Sequence, residues 1–538
     1  MKKMLLHTAT TTLVRAALAV GLMSALPLIM SACSDDDDYA LTEKDWDGTT
    51  TYFASTDQNG FSTYYKPYVG YAGDPMPFYD ALTGTFKVLY LQNYLVNDTY
   101  CYHPIWAVET TDGGSYTSLG ELISTGGEAE ADAALGTGTT VYRESDGTYF
   151  TYYTGHTSST EVVMRATSTD FVTWTKDRVF RLYGDDYGYS TTDFRDPTIF
   201  EDTDGTYHML ISTQEDGKGT LAEFTSSNLE DWTHQGAFMT MMWDRFYECP
   251  DVFQMGNYWY LIYSEQHAAI RKVQYFKGTT LDELKACTAD DAGLWPDDHE
   301  GFLDSRGLYA GKTATDGTNR YLWGWCPYRD GEDNTDVGAY PDEPEWSGNL
   351  VMHRIVQHDD GTLTLGEVGG ISDTFTQTDE LSLMASDGSI SGSGNSYSLS
   401  GDSYLLFNRL NTHNKITFTV TTSGTTDNFG VSFVRGTDSS VYYSVIVNAE
   451  SETTRKVNFE EEGDDGIGFV DGIDGYTFYT PSDNVYDVTI YTDNSVCVVY
   501  INDDVSYTNR IYGIQKNCWS INCYGGDIQV NDIQVSYY

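Results

Sequence analysis

Apolar and polar positions alternate along most of this chain with the two-residue period of half-buried strands, and one paired form of that pattern recurs five times. The copies are FYDALTGTFKVLYL around Gly84, RESDGTYFTYYTG around Gly147, FEDTDGTYHMLIS around Gly205, FQMGNYWYLIYS around Gly256 and TATDGTNRYLWGW around Gly317. Each sets an apolar strand, a turn with Asp or Gly, and a second strand in which aromatic residues alternate. The five glycines stand 51 to 63 residues apart, and strand-built repeats of that length predict the blades of a β-propeller.

Two further segments, ATSTDFVTWTK (Ala166 to Lys176) and FTSSNLEDWTH (Phe224 to His234), follow their hairpins in the same way and place a Trp after an acidic turn. Because the position repeats while an active site would not, Trp174 and Trp232 are expected to pack blades rather than to hold a ligand. The repeat stops near residue 370, where Ser, Gly and Thr become dense. Beyond it run short alternating strands, among them NKITFTVTT, VYYSVIVNAE and DIQVNDIQVSYY, the pattern of a β-sandwich. Helical periodicity is confined to a stretch around LDELKA, Leu281 to Ala286. The chain therefore reads as all-β, a five-bladed β-propeller over residues 51–370 followed by a C-terminal β-sandwich over 371–538. A length of 538 residues fits two domains better than one.

The N-terminus departs from this pattern. Lys2 and Lys3 precede an apolar stretch from about Thr12 to Met30, then Ser31, Ala32 and Cys33. This resembles a bacterial lipoprotein signal over residues 1–32, with Cys33 as the lipidated residue. Residues 33–50 form an acidic tether, and the run Asp35 to Asp38 resembles the export tag of some surface lipoproteins. The expectation is an outer-membrane lipoprotein exposed at the cell surface, with an ordinary cleaved signal peptide as the alternative.

A net charge of −50 excludes nucleic acid as a natural partner and favours a neutral substrate over a polyanionic one. Seven cysteines follow Cys33, an odd number that argues against a fully paired disulfide framework; Cys518 and Cys523 either pair or remain buried thiols. The cysteines and the 10 histidines form no CxxC, HxH or HxxxH cluster, so neither a metal nor a cofactor is expected. The acidic run EEEGDDG, Glu460 to Gly466, is read as a solvated loop in preference to a calcium site, since its spacing matches no EF-hand.

Three motifs carry candidate chemistry: GDPMPFYD with Asp74, FRDPTIF with Asp196 and ECPDVF with Glu248. Each sets a carboxylate beside a proline or cysteine at the edge of a strand, where it can be held rigidly and aimed into a cleft. Glycosidic bond cleavage needs one carboxylic acid to protonate the leaving oxygen and a carboxylate to attack or to activate water.

FRDP followed by YECPDVF in a five-bladed propeller, then a sandwich ending in DIQVSYY, resembles glycoside hydrolase family 32, and the likeness covers almost the whole chain after the signal. HPIWAVETTD, FLDSRGLYAGKT, RYLWGWCPYRD and EWSGNLVMHRIV fit the same family pattern. That family includes invertases, inulinases and levanases. It pairs a propeller with a sandwich and hydrolyses β-linked fructosyl bonds with retention of configuration. The resemblance implies Asp74 as nucleophile, Glu248 as general acid and base and Asp196 as stabiliser of the sugar transition state. It also implies substrate contacts from Arg195, Trp106, Asp304 and Tyr309, and an oligo- or polysaccharide, a fructan, as partner. In these roles Asp74 must be ionised and needs donors or positive charge nearby, whereas Glu248 must hold a proton and needs a drier or more negative setting.

The first motif departs from the family's N-D-P-N-G, with Gly73 before Asp74 and Met76 and Pro77 after Pro75, and Pro104 stands where the family has Trp. The pocket for the terminal sugar is expected to be reshaped. Two other readings stay open at this point: an inverting enzyme of the family 43 kind acting on arabinan or xylan, and a surface glycan-binding protein without turnover.

Overall fold

The computed structural model describes residues 63–68, 70–93, 103–127, 129–241, 246–265, 272–287, 300–328, 346–434, 442–462 and 476–538. The signal, the tether, Cys33 and Cys101 lie outside the described residues. Of the acidic run at Glu460, only the backbone of its first three residues is described, at the end of strand Thr454–Glu462.

The five sequence repeats are five antiparallel hairpins, and each forms the two inner strands of one propeller blade. Blade 1 comprises Tyr71–Asp80, Thr85–Asn93, Ile105–Thr110 and Thr117–Ile123, and blade 2 comprises Ala134–Arg143, Thr148–His156 and Glu161–Ser168 with two short outer strands. Blade 3 runs from Phe194–Glu201 to Thr233–Thr240 and blade 4 from Glu248–Met255 to Glu300–Phe302. Blade 5 contains Tyr309–Thr315, Arg320–Pro327, Gly348–Gln357 and Leu363–Gly366, and joins blade 1 where Ala72 pairs with Gly348. The alternating aromatics of the hairpins fill the seams between blades. Met76, Leu89, Tyr149, Tyr153 and Met164 share one core between blades 1 and 2, and Phe150, Tyr152, Phe194, Met209 and Ile211 share the next. Trp174 and Trp232 pack in these seams: the first donates its indole N–H to Phe171 O at 2.8 Å, and the second donates to Tyr152 Oη at 3.1 Å.

After the short helix Gly369–Thr374 the chain enters the sandwich. Its long last strand, Cys518–Tyr537, pairs with Ser396–Arg409, His413–Thr422 and Phe429–Val434 and so ties the strands around a single apolar core. The six described cysteines, Cys518 and Cys523 among them, are buried thiols, the second of the two options. The two domains share a buried seam in which Tyr491, Val496, Val498 and Tyr500 of the sandwich join the apolar core of blade 5. Arg510 spans that seam, donating to Pro327 O and Cys326 O at 3.0 and 2.9 Å.

Candidate active site

The five innermost strands of the blades converge on the propeller axis, and each is interrupted at the same level. The register slips between Gly73 and Met76, Gly136 and Gly138, Arg195 and Thr198, Glu248 and Asp251, and Tyr309 and Lys312. These are β-bulges, which bend a strand and re-aim side chains. At four of the five, a non-glycine residue takes a left-handed conformation: Asp74 (φ 33°), Asp196 (φ 57°), Cys249 (φ 49°) and Ala310 (φ 54°). Such backbone costs on the order of 1–3 kcal/mol per residue and collects at functional sites. The prolines of the motifs sit just here. Pro75, Pro197 and Pro250 remove an N–H only where the ladder is already broken. The spacing of the motifs in the sequence is thus the spacing of one structural device repeated around the axis.

The bulges form two rings. Asp74, Thr137, Asp196, Cys249 and Ala310 occupy the bulge itself; Gly73, Gly136, Arg195, Glu248 and Tyr309 precede it. In the first ring both oxygens of Asp74 are held: Trp325 Nε1–H donates to Oδ1 and Thr137 Oγ1–H to Oδ2, each at 2.9 Å. Asp196 is buried, its Oδ2 accepts the Cys249 N–H at 2.9 Å, and its own N–H donates to Thr154 Oγ1 at 3.0 Å. In the second ring Glu248 is gripped at both oxygens, by Arg195 Nη2 at 2.8 Å and by Tyr309 Oη–H at 3.1 Å. Arg195 is itself anchored by Glu161 and Asp193, each at 3.2 Å, and packs 4.0 Å from the centre of the Phe246 ring. Asp74, Asp196, Glu248, Arg195 and Tyr309, expected from the sequence, are therefore brought together.

Asp74, Asp196 and Glu248 cannot all be ionised without cost, because Arg195 also pairs with Glu161 and Asp193. Burial raises the Asp74 carboxyl to about 7, reinforced by the charges of Asp196 and Glu248 and only partly offset by the Trp325 and Thr137 hydrogen bonds. Burial and the neighbouring Glu248 raise Asp196 to about 6, against the pull of Arg195 and the Cys249 N–H. Arg195 stays charged, since the carboxylates of Glu248, Glu161 and Asp196 outweigh its burial. The environments differ from the sequence expectation. The positive charge sits on Glu248, not Asp74, and Asp74 has neutral donors in a dry, negative setting. Asp74 and Asp196 therefore titrate under each other's and their neighbours' charge rather than independently.

Two expected contacts fall elsewhere. Asp304 is fully buried in the seam between the domains. It accepts Thr508 N–H at 2.7 Å and Thr508 Oγ1–H and Ser506 Oγ–H at 2.9 Å each, and with every oxygen engaged it has nothing to offer a substrate. Trp106 packs against the core that holds Tyr90, Val108 and Trp323, because the alternation of its strand sends Ile105 and Ala107, not Trp106, toward the seam with Met76. The aromatics at this wall are Trp325, bonded to Asp74, and Trp346, set against Gly73. Trp346 stacks on His103 with ring centres 4.3 Å apart, and a Cβ on Gly73 would lie 2.5 Å from its ring. Thr137, Trp325, Trp346 and Cys249 are thus site residues that motif reading did not assign. Thr137 carries no acid to draw notice, and only blade closure brings Trp325 and Trp346 against blade 1. Among the described residues no group of three or more His, Cys, Asp or Glu is placed to hold a metal ion.

Residues 64–366 match the glycosyl hydrolases family 32 N-terminal domain, and residues 361–535 match the GH32, BT1760-like, C-terminal domain. A sucrose-6-phosphate hydrolase of Staphylococcus xylosus is 28% identical over 188 residues, 33% of this chain and 35% of that protein; one of Escherichia coli is 34% identical over 80 residues, 14% and 16% respectively. The chain thus matches about a third or less of these relatives' length. Among solved structures, fructan 1-exohydrolase IIa from Cichorium intybus aligns with a TM-score of 0.68 at 15% identity, covering 89% of this chain and 98% of that one. The sucrose-6-phosphate hydrolase of Lactobacillus gasseri gives 0.66 at 17%, covering 89% and 94%. At such identities these two show a shared fold.

Proposed function

The chain belongs to glycosyl hydrolase family 32, and from that premise we propose that it hydrolyses β-fructofuranosidic bonds of a fructan, of levan or inulin type, with retention of configuration. The observation that carries the proposal is the convergence of Asp74, Asp196 and Glu248 at the corresponding bulges of blades 1, 3 and 4 around one axis.

In this reading Asp74 attacks the anomeric carbon. Trp325 and Thr137 fix both of its oxygens, so the attacking lone pair is aimed before the substrate arrives. Glu248 gives its proton to the leaving oxygen. The carboxylate left behind is the form that Arg195 and Tyr309 stabilise, so both favour donation. Asp196, held by the Cys249 N–H, bonds sugar hydroxyls whose contacts strengthen as positive charge develops on the ring. Glu248 then takes a proton from water, which releases the sugar from Asp74.

The sucrose-6-phosphate hydrolases among the relatives are named for a phosphorylated sugar, but Arg195 is already paired with Glu161, Asp193 and Glu248, and with Asp74 and Asp196 in the same pocket this disfavours a phosphate. Gly73 removes a polar side chain at the wall and Trp346 fills its place, which favours stacking on a sugar ring over hydrogen bonding to it. The N-terminal signal and Cys33 support display of the enzyme at the outer-membrane surface through a lipid.

Incubation of the purified protein with levan, inulin, sucrose and arabinan, beside Asp74→Ala and Glu248→Ala, tests this. The expected result is fructose or fructo-oligosaccharides from a fructan and near-complete loss in both variants. Binding of fructan without release, or cleavage of arabinan alone, contradicts it.

A further inference from the structure

The propeller channel has a second end. Beyond the bulges the inner strands continue to their hairpin turns, and between them lies a cavity of about 410 Å³, within the range of about 300–1,000 Å³ typical of small-molecule sites. None of Asp74, Thr137, Asp196, Glu248, Cys249 and Tyr309 lines it. A thin layer separates the two compartments. Gly138 N–H donates to Met76 Sδ at 3.0 Å, and the ammonium of Lys312 donates to Pro250 O at 3.0 Å and to Thr139 Oγ1 at 3.4 Å.

The far side of this layer is equipped with polar groups. Lys312 is only 3% exposed, and two acceptors leave one of its three N–H bonds for an occupant of the cavity it lines. Asp251 uses Oδ2 to accept from Thr313 N–H at 2.9 Å and from the Thr313 hydroxyl, which leaves Oδ1 as an acceptor. Arg320 donates Nη1 to Thr313 Oγ1 at 2.7 Å and rests 4.1 Å from the centre of the Phe253 ring, with its remaining N–H groups available. Phe78, Phe200 and Trp259 complete the wall with apolar surface. Donors and an acceptor set among aromatic rings match the alternation of hydroxyl edges and C–H faces on a sugar. The charges decide against an anion. Lys312 and Arg320 are offset by Asp251, and Glu201 and Asp202 stand in the same wall.

We propose that this cavity, at the opposite end of the channel from the carboxylates, is a second carbohydrate site that takes a neutral mono- or disaccharide through Lys312, Asp251 and Arg320. It goes beyond the hydrolase reading and does not depend on it.

Equilibrium dialysis of the whole protein with labelled D-fructose and with labelled D-glucose, neither of which can be cleaved, tests the assignment. The expected result is binding that survives Asp74→Ala combined with Glu248→Ala. It should weaken at least tenfold in Arg320→Leu and in Gln254→Trp, a bulky replacement at an exposed position of the wall where folding is not at risk. Inorganic phosphate at equal concentration should not displace the sugar. The assignment is overturned if neither sugar binds at about 10 mM, if all binding disappears with Asp74 and Glu248, if Gln254→Trp binds as the wild type does, or if phosphate displaces the sugar. Failure of the fructan assay would leave each of these outcomes readable.

Discussion

Replacing Asp74 by Asn should make the protein more stable at pH 8 than the wild type, even though it removes the proposed nucleophile. Folding carries the Asp74 carboxyl from an ordinary 3.8 to about 7. A group whose midpoint rises on folding binds its proton more tightly in the native state, so its stabilisation is complete below pH 3.8 and is lost as the pH climbs through 7. At about 1.4 kcal/mol per pH unit, the full loss is about 4 kcal/mol. This is an upper bound, because the residue keeps some exposure to water and part of the shift comes from the charge of Asp196, which itself titrates. Asn has nearly the same shape, accepts the Trp325 N–H and turns its amide toward the Thr137 hydroxyl, which then accepts. The variant therefore escapes the loss at little structural expense. For a domain of about 300 residues the entropy of unfolding is about 0.6 kcal/mol/K, so 2–4 kcal/mol is about 3–6 °C in Tm. Thermal melts of both proteins at pH 4.5, 6 and 8 measure it. The Tm difference, variant minus wild type, should grow with pH by that amount. A difference that is constant with pH, or that falls toward pH 8, would refute the raised Asp74 carboxyl.

Trp325→Phe removes the donor to Asp74 Oδ1. The acid limb of the kcat/KM profile should move to higher pH by several tenths of a unit or more, with kcat down about tenfold; an unmoved limb would mean that the indole serves only packing. Gly73→Ala forces a Cβ to within 2.5 Å of Trp346 unless the ring moves. KM for an oligosaccharide should rise severalfold, whereas an unchanged KM would place the sugar away from this wall. Asp304→Ala takes the carboxylate acceptor from the buried Thr508 and Ser305 N–H groups and should cost about 2–4 kcal/mol, seen as a lower Tm with KM nearly unchanged at 25 °C; a selective rise in KM would restore Asp304 to the substrate pocket.

The blades were legible because each hairpin carries its own signal, namely alternation, an acidic or glycine turn and aromatics that must be buried between sheets. The three acids were legible for a related reason: a proline one or two places after a carboxylate marks the bulge that aims it. Thr137 occupies the same bulge in blade 2 but has neither proline nor acid to mark it. Trp346 and Trp325 could not be assigned from local pattern, since the contact of blade 5 with blade 1 joins positions some 250 residues apart. Asp304 misled for the converse reason. It stands five residues before Tyr309, which does reach Glu248, yet the turn between them directs the carboxylate into the sandwich. The electrostatic roles were the least readable part, because they depend on which carboxylate Arg195 reaches, a distance that no motif encodes.

The central claim, that Asp74 is the nucleophile of a retaining fructosyl hydrolase, can be tested by trapping. Glu248→Gln should still allow attack on a substrate with a good leaving group, while its amide cannot activate water for release. Rapid quenching and peptide mass analysis after mixing with an activated β-fructofuranoside should find one fructosyl unit on the peptide that contains Asp74, at up to one per chain, and none in Asp74→Ala. Fructosyl on another residue, or its absence while the activated substrate is consumed, would contradict the mechanism.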